Sequence, residues 1–181
     1  CWCRSPFVKP MKSPDLEHLL EQFQSPLLRY ATSFLRDSNA AEDVVQETFL
    51  RLIRKPPATG NDDELRNWLF HVCRNLSLDR RKMDIRETKR QEHSMPPPVA
   101  ATPAQLASRA ELAHFVRAEL DLLPAQEREA LRLKVDEHLT YDAIAKILGV
   151  ARGTVGWLVH RGMQRLSNRL EKATANTEVQ S

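Results

Sequence analysis

The chain has 181 residues, enough for one medium-sized domain or two small ones, and its 27 Lys and Arg against 24 Asp and Glu leave a net charge of only +3. This balance does not by itself select an anionic partner, and three cysteines are too few for a disulfide framework, which favours a reducing, cytoplasmic compartment. No apolar run approaches the length of a membrane span, so we expect no membrane insertion.

The first half of the chain predicts helices. Residues 1–13 are predicted to be a non-native or disordered extension, because Cys1 cannot initiate a chain. Apolar residues at helical spacing follow up to Leu35, and Pro26 within this run is expected either to separate two helices or to begin the second. The turn at 37–39 then leads into a helix over 40–55.

The helix over 40–55 has two distinct faces. One is apolar and is predicted to face the core: Ala41, Val45, Phe49, Leu52 and Ile53. The other is mostly polar: Asp43, Gln46, Glu47, Leu50 and Arg54. By residue type alone, the polar face is a solvated surface.

A loop at 56–63, with two Pro, two Asp and one Gly, separates that helix from the next, which is predicted from residue 64 to residue 82 or beyond. Basic residues concentrate in two separate stretches, 66–90 and 152–172, which indicates two contacts with a polyanion or two solvated helix ends. Four prolines and no charge between Ser94 and Pro103 predict an extended linker. We therefore expect an all-α protein of two small helical domains, 14–92 and 105–173, joined by a linker at 93–104 and followed by a disordered tail at 174–181.

The second half carries a helix-turn-helix pattern. Helices are predicted over 105–122 and from Pro124 to near His138, then over 141–148 and from Arg152 to about 173. Thr140 is a helix cap, and Gly149 can take the positive φ of the turn. The second helix of such a pair lies in the major groove of DNA, although similar helical hairpins occur in proteins that bind no DNA.

Three segments resemble bacterial RNA polymerase sigma factors. Residues 123–131, before the helix-turn-helix, resemble sigma region 4; residues 41–52 resemble region 2.2; and residues 67–81 resemble regions 2.3 and 2.4. Their order, with no domain between them, is similar to the extracytoplasmic-function (ECF) subfamily. The resemblance covers roughly residues 14–170 and implies a factor that binds core polymerase and directs initiation at particular promoters.

The resemblance also implies partners and site residues. Region 2.2 would dock on the β′ clamp through Asp43, Gln46, Glu47, Leu50 and Arg54, region 4 would meet the β flap, and an anti-sigma factor would be a further partner. Regions 2.3 and 2.4, with the preceding loop, would melt and hold the −10 element through Asn61, Asp62, Arg66, Phe70, Arg74, Asn75, Arg80, Arg81 and Lys82. In this assignment Phe70 offers a stacking surface for an unpaired base, whereas Trp68 is assigned to the core.

The recognition helix departs from the family pattern. Gly156 and Trp157 stand where a basic residue and a Ser are usual, and Gly162 replaces the common Ala. The expected contacts with the −35 element are therefore reduced to Arg152, Thr154, Trp157, His160, Arg161 and Arg165.

Three other functions account for less of the sequence. A stand-alone helix-turn-helix regulator leaves residues 15–82 unused, a protein–protein adaptor leaves the basic stretches unused, and a metalloenzyme would need a bound metal. The sequence holds no phosphate-binding loop, paired-carboxylate signature or nucleophile motif. We therefore predict no catalytic residues, no metal and no cofactor.

Overall fold

The computed structural model describes residues 13–35, 37–58, 61–91 and 109–178. Over these ranges the chain forms seven α-helices and no strand: α1 Ser13–Leu35, α2 Ser38–Arg54, α3 Asp62–Gln91, α4 Arg109–Asp121, α5 Ala125–Val135, α6 Tyr141–Leu148 and α7 Arg152–Glu178. None of these helices is both long enough and apolar enough to cross a lipid bilayer. The expected all-α fold class is confirmed.

The chain divides into two compact units, Cys1–His93 and Ser94–Ser181. The division lies at the start of the predicted linker, and the linker itself lies outside the described residues, as do the first twelve residues and the last three. Helix α7 extends to Glu178, so residues 174–178 of the predicted disordered tail are helical.

The first unit is a bundle of α1, α2 and α3. Its core combines buried residues of all three helices: Phe23, Leu27, Tyr30 and Ala31 from α1, Ala41, Val45, Phe49 and Leu52 from α2, and Leu69, Phe70 and Cys73 from α3. Four of the five predicted core residues of α2 are buried, but Ile53 is 51% exposed. The prediction for Ile53 was wrong because the apolar stripe of α2 extends beyond its contact with the bundle.

Helix α1 continues through Pro26 without a break. A proline within a helix removes one hydrogen bond and costs about 3 kcal/mol. The carbonyl released is that of Gln22, which is exposed and can bind water, while Phe23 and Leu27 are buried on either side of the proline. Packing of one continuous apolar face therefore outweighs the local preference for a new helix start.

The second unit packs α4, α5 and α6 around the long helix α7. The core includes Phe115, Leu131, Leu133, Ile144, Ile147, Val155 and Leu158. Helix α5 ends at Val135, earlier than predicted, because His138 adopts a left-handed conformation with φ of 52° and Leu139 N–H donates to the carbonyl of Leu133 at 3.0 Å. This turn directs the chain into α6.

Candidate functional site

The outer face of α2 is the first candidate surface. Asp43, Gln46, Leu50 and Arg54 are exposed, and Glu47 is half-buried and forms an ion pair with Arg51 at 3.0 Å. All five predicted docking residues therefore share one accessible face. Helix capping by Asp37, whose carboxylate accepts from Asn39 N–H at 2.9 Å, sets the start of this helix.

An apolar groove of about 380 Å³ runs between α1 and α2 beside this face. Two of the predicted docking residues, Gln46 and Leu50, line this groove. The other lining residues come from both helices and are mostly apolar: Leu20, Gln24, Leu28, Glu42, Val45, Phe49 and Ile53. Exposed Leu50 and Ile53 give the surface an apolar centre with polar residues around it, which is the composition of a protein-binding site. The sequence pattern did not indicate the groove, because it assigned Ile53 to the core.

Helix α3 carries the predicted −10 residues. Asn61 caps the helix, since its side-chain oxygen accepts from Asp63 N–H at 2.9 Å, and Asp62 is exposed in the first turn. Arg66 and Arg74 are half-buried, and Asn75 is half-buried with its amide 3.0 Å from the ring of His71. Every residue from 79 to 87 is exposed, including three predicted contacts, Arg80, Arg81 and Lys82.

Two cations of this exposed segment have acidic neighbours on the same helix. Arg80 lies 3.3 Å from Asp84, and Lys82 lies 3.2 Å from Asp79. Exposed pairs of this kind are weak and contribute at most about 1 kcal/mol. The side chains of Arg80 and Lys82 can therefore still bind a phosphate group.

Phe70 does not belong to this surface. Its side chain is fully buried and packs edge-on against Tyr30, with ring centroids 5.4 Å apart. The predicted stacking role was wrong because the helical stripe of Phe70 and Ser77 faces α1 and α2, where both residues are completely buried. Trp68, which the sequence assigned to the core, is half-buried and is the aromatic residue of α3 that keeps an accessible surface.

The second unit has the predicted helix-turn-helix geometry. The hydroxyl of Thr140 accepts from Ala143 N–H at 3.2 Å, and Gly149 ends α6 in the left-handed region with φ of 69°. Three residues separate α6 from α7, which buries Val155 and Leu158 against the unit. The predicted roles of Thr140 and Gly149 are confirmed.

The predicted −35 residues of α7 fall into two groups. Arg152, Thr154, Trp157 and His160 are exposed on the first turns, and Arg152 lies 3.6 Å from exposed Asp142. Arg161 and Arg165 lie further along and face the buried carboxylate of Glu127, on α5, at 3.7 Å and 3.4 Å. The guanidinium of Arg161 also lies 4.9 Å from the ring centroid of Trp157. Nothing in the sequence singled out Glu127, because its role depends on how α5 packs against α7.

The two units and their exposed cationic helices define a class of protein: an all-helical factor with a helix-turn-helix in its second unit. Comparison with known proteins identifies the family within this class. The sigma-70 region 2 family model matches residues 19–87, and the sigma-70 region 4 model matches residues 116–166. These matches place the chain in the bacterial sigma-70 family.

Curated relatives show further that the chain belongs to the ECF subfamily of that family. The chain is 35% identical to the ECF RNA polymerase sigma factor EcfG of Rhodopseudomonas palustris over 78% of each chain. It is 33% identical to the ECF RNA polymerase sigma factor SigE of Mycolicibacterium smegmatis over 91% of this chain, but it spans only 65% of that protein. It is also similar to the sigma factor RpoE of Bartonella quintana, solved with the anti-sigma factor NepR, with a TM-score of 0.71, 29% identity and coverage of 87% and 97%.

The region 2 match decides against one alternative. A stand-alone helix-turn-helix regulator leaves the first half of the chain without a role, whereas the family model accounts for residues 19–87.

Proposed function

We propose that this sigma factor binds core RNA polymerase and directs initiation at particular promoters, where it contacts the −10 and −35 elements. The observation that carries the proposal is the accessible face of α2, where polar residues surround the apolar groove lined by Leu50 and Ile53. This face corresponds to the segment that resembles region 2.2. Its partner is the β′ clamp; region 4 contacts the β flap, and the complex works in the cytoplasm.

The first unit also supplies the −10 contacts. Exposed cations on α3, including Arg80, Arg81 and Lys82, suit the phosphates of a single strand, and the accessible ring of Trp68 suits an unpaired base. Asn61 and Asp62, at the start of α3, are exposed polar groups of the kind that hydrogen-bond a flipped base. Arg66, Arg74 and Asn75 lie on α3 between Asp62 and Arg80.

The second unit supplies the −35 contacts. The first turns of α7 expose Arg152, Thr154, Trp157 and His160. In a recognition helix that enters the major groove, residues of the first turns contact base edges. Arg161 and Arg165 follow on the same helix and contact the duplex from beside Glu127. The Bartonella relative was solved with an anti-sigma factor, and we propose that an anti-sigma factor also regulates this chain.

Charge reversal on α2 tests the proposal. Asp43→Lys with Glu47→Lys places two positive charges on the docking face and should weaken binding to core polymerase at least tenfold, which corresponds to about 1.4 kcal/mol. The helix should remain intact, because both residues lie outside the core. Affinity is measured by titrating labelled protein with core enzyme, and helicity by circular dichroism.

The matched control places the same charge change on exposed residues of α3, Asp84→Lys with Glu87→Lys. The control should bind core polymerase with wild-type affinity. Equal affinity of the α2 variant and wild type would contradict the docking assignment. Sequence-specific binding of the wild-type chain to promoter duplex with no effect of core polymerase would instead favour a stand-alone regulator.

A further inference from the structure

The carboxylate of Glu127 is buried between the arginines of the recognition helix. Its side chain is 6% exposed, and Oε1 lies 3.7 Å from Arg161 Nε while Oε2 lies 3.4 Å from Arg165 Nη1. Oε2 makes no hydrogen bond within the described part of the chain. A buried carboxylate is unfavourable without compensating charge, so the two guanidinium groups stabilise it where it lies.

A glycine makes this arrangement sterically feasible. Gly162 lies between the two arginines in sequence, and a Cβ at that position would be 2.9 Å from Leu131 Cδ1 and 3.4 Å from Glu127 Cβ. Helix α7 therefore approaches α5 more closely here than a larger residue allows. The close approach brings the carboxylate within reach of both arginines.

Arg161 is restrained from two sides. Glu127 lies next to Nε, the inner nitrogen of the guanidinium, and the ring of Trp157 lies 4.9 Å from its central carbon. The Arg161 side chain nevertheless stays 46% exposed, and that of Arg165 39% exposed. The parts of both groups that are accessible to solvent can still donate to another acceptor.

We propose that Glu127 is a positioning residue for duplex recognition, an inference that rests on the proposed −35 contact. It holds Arg161 and Arg165 in one orientation. Each arginine therefore loses less conformational freedom when it donates to a hydrogen-bond acceptor of the preferred −35 sequence. Its negative charge also weakens the attraction of both arginines to phosphates of any sequence. Glu127 thereby raises sequence discrimination without touching DNA.

The test uses holoenzyme reconstituted from the full chain and core polymerase. A pool of promoter duplexes randomised in the −35 segment first yields the sequence that the wild type selects. Binding to that duplex and to a scrambled duplex is then measured over a range of salt concentrations. Glu127→Gln should bind the scrambled duplex more tightly and with a steeper salt dependence, and should lower the ratio of specific to scrambled affinity about tenfold, the scale of one mismatched base pair.

The control is Glu119→Gln, which removes the same charge from the same unit. Glu119 is buried, and its Oε2 lies 2.6 Å from Nε of Arg169, a residue outside the predicted −35 contacts. Glu119→Gln should leave the affinity ratio unchanged. If both variants lower the ratio equally, the effect is one of net charge and the inference is overturned.

Three further outcomes are informative. If Glu127→Gln does not fold, Arg161→Lys is used in its place, because it keeps the charge but loses the planar guanidinium. The ratio of specific to scrambled affinity should then fall while the affinity for the scrambled duplex is retained. An unchanged ratio overturns the inference. If the wild type selects no −35 sequence, the proposed function fails and the inference with it. If selection is intact but Glu127→Gln behaves as wild type, the inference alone fails.

Discussion

Small polar groups in the core of the first unit are satisfied by nearby backbone carbonyls. The thiol of Cys73 lies 3.8 Å from the carbonyl of Leu27, and the hydroxyls of Thr48 and Ser77 each donate to the carbonyl four residues earlier at 2.8 Å. Burial raises the pKa of Cys73 from its ordinary value of 9.0 to about 12. The residue is therefore a packing group and not a nucleophile.

Cys73 should react with iodoacetamide at pH 8 about a thousandfold more slowly in the folded chain than in denaturant, because the raised pKa suppresses the thiolate. Mass spectrometry of the peptide that contains Cys73 measures the rate. Since the pKa of Cys73 is higher in the folded state, the neutral thiol contributes to the free energy of unfolding. This contribution is fully present below pH 9 and declines as the pH rises from 9 towards 12. Equal rates of alkylation with and without denaturant would contradict the burial of this thiol.

Phe70→Ala should destabilise the first unit by about 3–5 kcal/mol, because it removes a fully buried ring that packs against Tyr30. Denaturant unfolding followed by circular dichroism measures the loss. The comparison variant is Trp68→Ala, whose half-buried ring should cost less stability but should reduce open-complex formation on permanganate footprinting. A Phe70→Ala variant that is as stable as the wild type but melts promoters poorly would instead support a base-stacking role for Phe70.

At the scale of elements, the contact between α5 and α7 shows how a glycine can stabilise a helix pair despite its low helix propensity. Gly162 is buried where α7 crosses Leu131, whereas Gly156, on the same helix, has only an ordinary contact, 3.7 Å from the ring of Tyr141. Each glycine costs up to about 1 kcal/mol of helix propensity relative to Ala. Only at Gly162 does close packing offset that cost.

Gly162→Ala should therefore destabilise the second unit, since overpacking costs about 1–3 kcal/mol and exceeds the gain in propensity. Gly156→Ala should be neutral or stabilising by up to about 1 kcal/mol. Thermal unfolding of the two variants beside wild type measures both effects. A Gly162→Ala variant as stable as Gly156→Ala would mean that Leu131 moves aside without cost.

At the scale of the whole molecule, the division into two units predicts where protease cuts first. The segment 94–103 is proline-rich and uncharged, so it lacks the residues needed to build a core. Limited proteolysis should give two stable fragments, one ending near residue 90 and one beginning near residue 105. Mass spectrometry identifies their ends, and a single protected fragment that spans the linker would refute the two-domain organisation.

Local chemistry was sufficient to predict most of the helices and the helix-turn-helix. The caps Asp37 and Thr140 and the turn at Gly149 depend on residues within a few positions in sequence, so the sequence itself determines them. The same holds for the segments that resemble sigma regions 2 and 4, whose family models match the chain.

The tertiary structure decided which face of each helix is accessible. A stripe of residues at helical spacing is compatible with burial or exposure, and only packing against neighbouring helices placed Phe70 inside the bundle and Ile53 outside it. Pro26 likewise remains within α1 because distant core residues favour a continuous helix. Glu127 could not be found from the sequence, because the two arginines that define its role lie more than thirty residues away and meet it only when α7 packs against α5.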